Sequence, residues 1–463
     1  MGLEEGFLQE IRQDIYDDDS RLIFADWLED HDQPVRAELI RLQCHAATLP
    51  LRDPSRMQME QRAKKLGKKQ AKKWFPQKPK NVNLSFQRGM LKVTFSPVDT
   101  NLKRLLKWWQ QHRPWIYSAE VWHTDSDELD WLMDAKLLDE VAELDISNDE
   151  ISEAWLSTLG VLPNLKKLAV SFVEEGDGWG WMGSLSRLYT LQSLNLCEPT
   201  CPPSALYGLQ SCRDLRELTV KLDLTDEDLR PIQELTQLRR LDCSFGGTWK
   251  KKVLQQLQHL TSLEEIHFHH GGDPGKGLKH LASVPTLKTL RVTYIHISKS
   301  TAREVASLPQ LEELELCPTD RVGQGWLRAL RPLEKLKRLD LSYSDFVEQG
   351  DLTHLTHLPA LEWVNLNNSV ITKEGLGALT SIPSLKYLFL SGARIRGRDL
   401  RLLESAQNLV ALDLSGSGVT NAGVQYLSKI PSLRWIDLQG TEMTKDAIKQ
   451  LRKALPDTWI ESS

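Results

Sequence analysis

Two histidines and one aspartate are the side chains of this 463-residue sequence best placed to do chemistry. In the run IHFHHGGDPGKG (266–277), His267 and His269 stand two apart in a strand-like stretch, so both point to one face. Asp242 holds the equivalent place in the preceding strand, about 4.8 Å away by sheet geometry. Two imidazoles and a carboxylate can bind zinc. Arg240 and Arg291 fall beside them and oppose a cation, so the trio reads as a polar interaction surface and no metal is assigned. The same run offers GGDPGKG, which follows a strand and precedes a helix as a phosphate loop does. Such a loop needs G-x-x-x-x-G-K-[ST], with backbone N–H groups around the phosphates and a hydroxyl on magnesium. Here the spacing is short and Gly277 stands where the hydroxyl belongs. Catalysis by Ser, His and Asp needs a nucleophile and base held by a third group, and the repeats offer all three types in such abundance that their coincidence carries no weight. The expectation is a protein that is not an enzyme and carries no cofactor.

A second feature is charge. Residues 52–80 hold eleven Lys or Arg against Asp53 and Glu60, a net of +9 in a chain of net −5. Lys64, Lys65, Lys68, Lys69, Lys72 and Lys73 fall in i, i+4 pairs along one helix. The run has the composition of a nucleic-acid footprint. It lacks base-reading motifs and stacking aromatics. It reads as a solvated helix face, and nucleic acid is not the expected partner.

These residues are positioned by a repeat. Residues 361–456 are four copies of a unit of about 24 residues, each with the pattern L-x-x-L-x-L, as at Leu409, Leu412 and Leu414. Leu412 and Leu414 then point inward and Ala411, Asp413 and Ser415 outward. Thr372, Thr420 and Thr444 sit where a helix N-cap belongs. Counting back, the first hydrophobe of the unit recurs from Val141 through Leu165, Leu191 and onward to Leu433, thirteen repeats in all. One unit cannot bury its own apolar face, whereas stacked units bury a continuous core. The units resemble leucine-rich repeats. The resemblance implies an α/β solenoid, a curved horseshoe with parallel strands on the concave face and short helices on the convex face. The asparagine usual after the strand is replaced by Ser344, Ser369, Ala393, Ser417 and Thr441.

Residues 1–50 read as a helical module with apolar faces at Phe7, Leu8 and Ile11, at Leu22, Ile23, Trp27 and Leu28, and at Val35, Leu39 and Leu42. FADWLEDH (24–31), ELIRLQC (38–44), Trp74 and FQRG (86–89) resemble the repeat-companion domain of planctomycete-type proteins, for which no activity carries over. The expected layout is that module at 1–50, a basic segment at 51–80, a strand–helix cap and degenerate first repeat at 81–140, repeats at 141–456, and a terminal cap at 457–463. Trp108, Trp109, Trp115 and Trp122 are expected to plug the first repeat. No apolar run approaches the roughly 18–20 residues that cross a bilayer. The acidic start MGLEEGFLQE lacks a secretory signal, and the six cysteines match no zinc ribbon or disulfide framework. A reduced, cytoplasmic, monomeric bacterial protein is expected.

The outward strand positions then define the surface on which a protein partner is expected. Asp242, His267, Arg291, Glu315 and Asp340 give mixed charge, and Trp363, Asn365, Tyr387, Phe389, Asp413, Trp435 and Asp437 follow. Four aromatics on a sheet face that helices leave open are expected to be exposed, and Trp and Tyr are enriched at binding hot spots.

Overall fold

The computed structural model describes residues 2–462 apart from 51–52, 124–125, 148–156, 171–179, 202, 223–228, 246–250, 270–276, 296–298, 319–324, 345–350 and 396–397. The glycine loop expected at GGDPGKG therefore lies outside the described residues, except Gly277. The chain divides into two compact units, Met1–Leu238 and Arg239–Ser463. No helix of the described residues is long and apolar enough to cross a membrane.

The first unit opens with four helices, α1 (Leu3–Ile11), α2 (Asp18–Asp30), α3 (Pro34–Thr48) and α4 (Pro54–Trp74). Asp17 and Asp53 cap α2 and α4 through their carboxylates, and Pro34 and Pro54 open α3 and α4. A hairpin follows, with β1 (Asn83–Gln87) antiparallel to β2 (Met90–Phe95), and then α5 (Leu102–His112). From β2 the pairing is parallel through β3 (Ile116–Trp122), β4 (Glu143–Ser147), β5 (Lys167–Val170), β6 (Ser193–Cys201) and β7 (Glu217–Leu222). The helices share one core with the strands: Leu8, Ile11, Phe24, Leu28 and Ile40 pack with Met90 and Tyr117. Buried polar groups fix this docking. Arg12 donates to the carbonyls of Leu8, Pro114 and Glu140, and Arg21 to the Tyr117 hydroxyl at 3.0 Å. Arg216 meets both Asp14 oxygens at 2.8 and 2.9 Å.

Of the four tryptophans expected as a plug, Trp115 is partly buried and packs against the helical core. Trp108 and Trp109 are buried, with Trp109 edge-on to Phe95, whereas Trp122 is 45% exposed. Trp122 ends β3 on the same side as Glu120, and its indole N–H donates to that carboxylate at 2.7 Å. The sequence GlnArgGly at 87–89 turns the hairpin through positive φ at Arg88 and Gly89. A Cβ at Gly89 would sit 2.1 Å from Cγ1 of Ile40 and 3.0 Å from its Cα, so α3 can lie against the turn only because residue 89 has no side chain.

The second unit is a parallel ladder of ten strands among the described residues. These are β8 (Arg240–Phe245), β9 (Glu265–His269), β10 (Thr289–Ile295), β11 (Glu313–Pro318), β12 (Arg338–Asp340), β13 (Trp363–Asn365), β14 (Tyr387–Phe389), β15 (Ala411–Asp413), β16 (Trp435–Asp437) and β17 (Trp459–Glu461). Short α- and 3-10 helices alternate with the strands. In each unit this is a leucine-rich-repeat solenoid. Inward pairs such as Leu194 and Leu196, Leu290 and Val292, and Leu412 and Leu414 are at most 1% exposed. Cys243 occupies one of these inward places as a small hydrophobe, and burial raises its pKa well above the ordinary thiol value.

Where the strands end, small hydroxyl residues stand in for the usual asparagine. Ser417 donates to the Leu414 carbonyl, Thr441 to that of Leu438 at 2.7 Å, and Ser369 to that of Leu341 at 3.3 Å. Thr372 and Thr444 cap their helices by accepting from Gly375 N and Ala447 N at 3.0 and 3.3 Å. Thr420 does not cap. It is followed by a 3-10 turn (Asn421–Gly423) and pairs instead in a parallel bridge with Glu442. The turn after each late strand passes through positive φ at Tyr343, Asn368, Gly392, Gly416 and Gly440.

A matched pair of glycine substitutions tests the distinction between strain and clash. At Gly440, with φ +66 and its nearest neighbour 3.6 Å from a built Cβ, alanine meets only the left-handed backbone penalty of about 1–2 kcal/mol. At Gly89 alanine meets that penalty and the Ile40 clash, adding about 1–3 kcal/mol. Chemical denaturation should rank Gly89→Ala below Gly440→Ala in stability, and the reverse order would refute the close approach of α3.

Candidate functional site

The register of the second unit sets its outward side chains in columns. The first column runs Arg240, Glu265, Thr289, Glu313, Arg338, Trp363, Tyr387, Ala411, Trp435 and Trp459. The second, two residues further along each strand, runs Asp242, His267, Arg291, Glu315, Asp340, Asn365, Phe389, Asp413, Asp437 and Glu461. All twelve residues expected at the interaction surface lie in these columns. Trp459 and Glu461 extend both, a placement that follows once Ile460 is read as the inward residue of a last strand.

The first half of the face is an ionic network. His267 lies between two carboxylates, with Nδ1 3.2 Å from Asp242 and Nε2 2.7 Å from Glu265. Arg291 reaches Glu265, Glu313 and Glu315 at 3.5, 3.6 and 3.5 Å. Arg338 pairs with Glu313 at 3.4 Å. Burial would push Asp242 up, but hydrogen bonds from His267 and His269 prevail and hold its carboxyl well below the usual range. Burial likewise opposes the charged form of His267, and its contacts with Asp242 and Glu265 outweigh it, so its pKa is raised. Glu315 is raised, by burial first and then by Asp340 beside it. Cys317 is pushed up to about 12, mainly by burial.

The second half corrects the expected exposure of the aromatics. Trp363 is 6% exposed, Trp435 3% and Phe389 0%, while Tyr387 is half-buried. The rings cover one another: Phe389 lies 5.1 Å from Trp363 and 6.1 Å from Trp435, centroid to centroid. The Arg338 guanidinium lies over the Trp363 ring at 4.5 Å, which joins the aromatic half to the ionic half. Side chains on neighbouring strands about 4.8 Å apart are closer than an indole is long, so large residues in adjacent columns shield each other without a covering helix.

The polar residues of the second column also have a local task that the sequence reading missed. Asp340, Asn365, Asp413 and Asp437 each accept, through Oδ1, the backbone N–H two residues on, at 2.9–3.0 Å. These Asx turns close each strand, and the recurrent Asp or Asn at the fifth place of the late repeats was the signal for them. Among the described residues no cation pairs with Asp413, Asp437 or Glu461. Asp437 and Glu461 are raised, by burial first and then by the neighbouring acid of the column.

No family model matches the chain. No curated protein matches it. Among solved structures, the chain is similar to an internalin from Listeria monocytogenes, at 18% identity and a TM-score of 0.47, over 70% of this chain and 88% of that one. It is also similar to a leucine-rich-repeat protein from Leptospira interrogans, at 18% identity and a TM-score of 0.40, over 71% of this chain and 91% of that one.

Burial of the aromatics has a measurable consequence. Trp363→Ala and Trp435→Ala should each lower the stability of the chain by about 3–5 kcal/mol, the range for truncating a buried large aromatic. Urea denaturation checks this, and losses near the about 0.5 kcal/mol of an exposed site would contradict the packing.

Proposed function

We propose that the chain is a non-catalytic scaffold that binds a protein partner on the outward face of its second unit, the concave face of the expected horseshoe. The observation that supports this reading is the pair of columns, which hold polar and aromatic side chains in fixed register opposite the buried leucines. Within them, Tyr387, Asp437, Arg291, Glu315, Asp340 and Asp242 are half-exposed and would touch the partner. Trp363, Asn365, Phe389, Asp413, Trp435 and His267 are buried and would hold the others in place. Large, rigid, pre-positioned surfaces bind with little ordering cost. The helical module at the start of the chain is proposed as a repeat-companion domain. Its buried Arg12 and Arg21 support a structural part in closing the first unit. Cys44, Cys212, Cys243 and Cys317 are free thiols, in keeping with a reducing, cytoplasmic setting.

Cross-linking the full tagged chain in a lysate of its source, with mass spectrometry of the products, tests the reading. Cross-links should map to the half-exposed positions of β10 to β16. Tyr387→Ala and Glu315→Lys should each weaken capture of the identified partner about tenfold or more, with the unfolding midpoint little changed. Unchanged capture by both variants would overturn the assignment of this face.

The rival reading is an anionic ligand on α4. Its six lysines, Lys64 to Lys73, are all exposed, and among the described residues none forms an ion pair, while Ala63 and Gly67 of the opposite side are buried. The expected result is that the full chain leaves a short DNA or RNA duplex unshifted at about 150 mM salt. A sub-micromolar, steeply salt-dependent shift, lost when the six lysines become Gln, would make α4 a nucleic-acid site.

A further inference from the structure

We propose that Asp242, His267 and His269 form a three-ligand site for a zinc-class divalent cation on the face of β8 and β9. The two histidines are i and i+2 on one strand, and Asp242 is the register partner of His267 on the next. The fold therefore sets all three on one side of the sheet without help from a loop. His267 Nδ1 lies 3.2 Å from Asp242 Oδ2, and His269 Nε2 lies 3.0 Å from Asp242 Oδ1. All three ligand atoms fall within 4.8 Å of one another. A tetrahedral zinc ion with bonds of about 2.0–2.2 Å needs ligand atoms about 3.3 Å apart, so the three side chains have to draw in by about 1.5 Å at most.

The outer contacts are those that a metal site requires. Each imidazole turns one nitrogen toward Asp242 and has its other nitrogen held. For His267 that nitrogen is Nε2, 2.7 Å from Glu265, and for His269 it is Nδ1, 2.8 Å from the Thr293 hydroxyl. A carboxylate or oxygen acceptor on the far nitrogen fixes ring and tautomer, so an arriving cation displaces to solvent the proton each near nitrogen shares with Asp242 and takes its place. Two imidazoles with one carboxylate suit zinc and its first-row neighbours, and not magnesium or calcium, which take oxygen.

On sequence alone, Arg240 and Arg291 stand beside the trio and oppose a cation. The structure shows where those charges go. Arg291 is drawn to Glu265, Glu313 and Glu315, and Arg240 lies 3.9 Å from Glu265. Counted with Asp242, the carboxylates outnumber these guanidiniums. The Asp242 and His269 side chains are 17% and 36% exposed, so an ion can reach the site from solvent and keep a fourth position there. The inference stands apart from the proposed partner, since it concerns an ion that the chain binds alone.

The test is titration of the full, chelator-treated chain with cobalt(II) and then zinc. One equivalent of cobalt(II) should give the visible bands of a four-coordinate ion, and zinc should displace it. His269→Ala and Asp242→Asn should abolish stoichiometric uptake, and Glu265→Gln should weaken it about tenfold or more. His45→Ala, an exposed histidine far along the chain in the first unit, should leave it unchanged. X-ray absorption of the zinc-loaded chain should show two imidazole nitrogens with oxygen donors. His269 is half-exposed, so its variant should fold even if Asp242→Asn does not. No uptake by the parent, uptake retained in His269→Ala, or a shell containing sulfur or oxygen alone would overturn the proposal.

Discussion

Each inward leucine of the repeat strands is buried by the strands one repeat before and one repeat after it. A strand as short as Trp363–Asn365 has a single inward residue between its ends, Val364, and cannot shield it alone. Stacking Leu339, Val364 and Leu388 at the same register removes all three from water, at roughly 1.5–3 kcal/mol for each aliphatic side chain. Everything else in the unit depends on keeping that register. A slip of one residue would turn the whole apolar set outward.

Holding the register has an electrostatic cost on the other face. Outward residues are brought opposite their equivalents on both neighbouring strands, so like charges in one column repel. The first half of the second unit resolves this by interleaving signs, with Arg291 among three glutamates and His267 between two acids. Further along, aromatic rings take over the first column and pack laterally. At the end of the array Asp413, Asp437 and Glu461 stand together, and their mutual repulsion appears as raised pKa values at Asp437 and Glu461, after burial.

The repeat, its register and the identity of both columns were legible in the sequence, because a period of about 24 residues fixes which residues become neighbours. Leu412 and Leu414 are inward as expected, and Thr372 and Thr444 cap their helices. The exposure of Trp363, Phe389 and Trp435 was not legible. It depends on how far rings reach across strands, and alternation says only to which side a side chain points. The paired state of Arg240 and Arg291 was hidden for the same reason. Thr420 failed as a cap because its helix begins as a 3-10 turn, which places the amides differently. The Asx turns were visible as a recurrent Asp or Asn, and the sequence reading took that recurrence for surface chemistry.

Those turns separate two properties that are usually tied together. Closing the strand needs only an Oδ1 acceptor one methylene from the backbone, which Asp and Asn both supply. Asn365 does so beside Asp340, and its amide also donates to Asp340 Oδ2 at 2.7 Å. An Asp–Asn exchange at positions 340, 365, 413 or 437 changes the charge of one rung while the turn beneath it stays closed. Glutamate at the same place would carry the acceptor out of reach of the turn amide. The face is thus a row of charges on a fixed frame, and single-nucleotide changes between Asp and Asn codons can alter its charge without refolding the array.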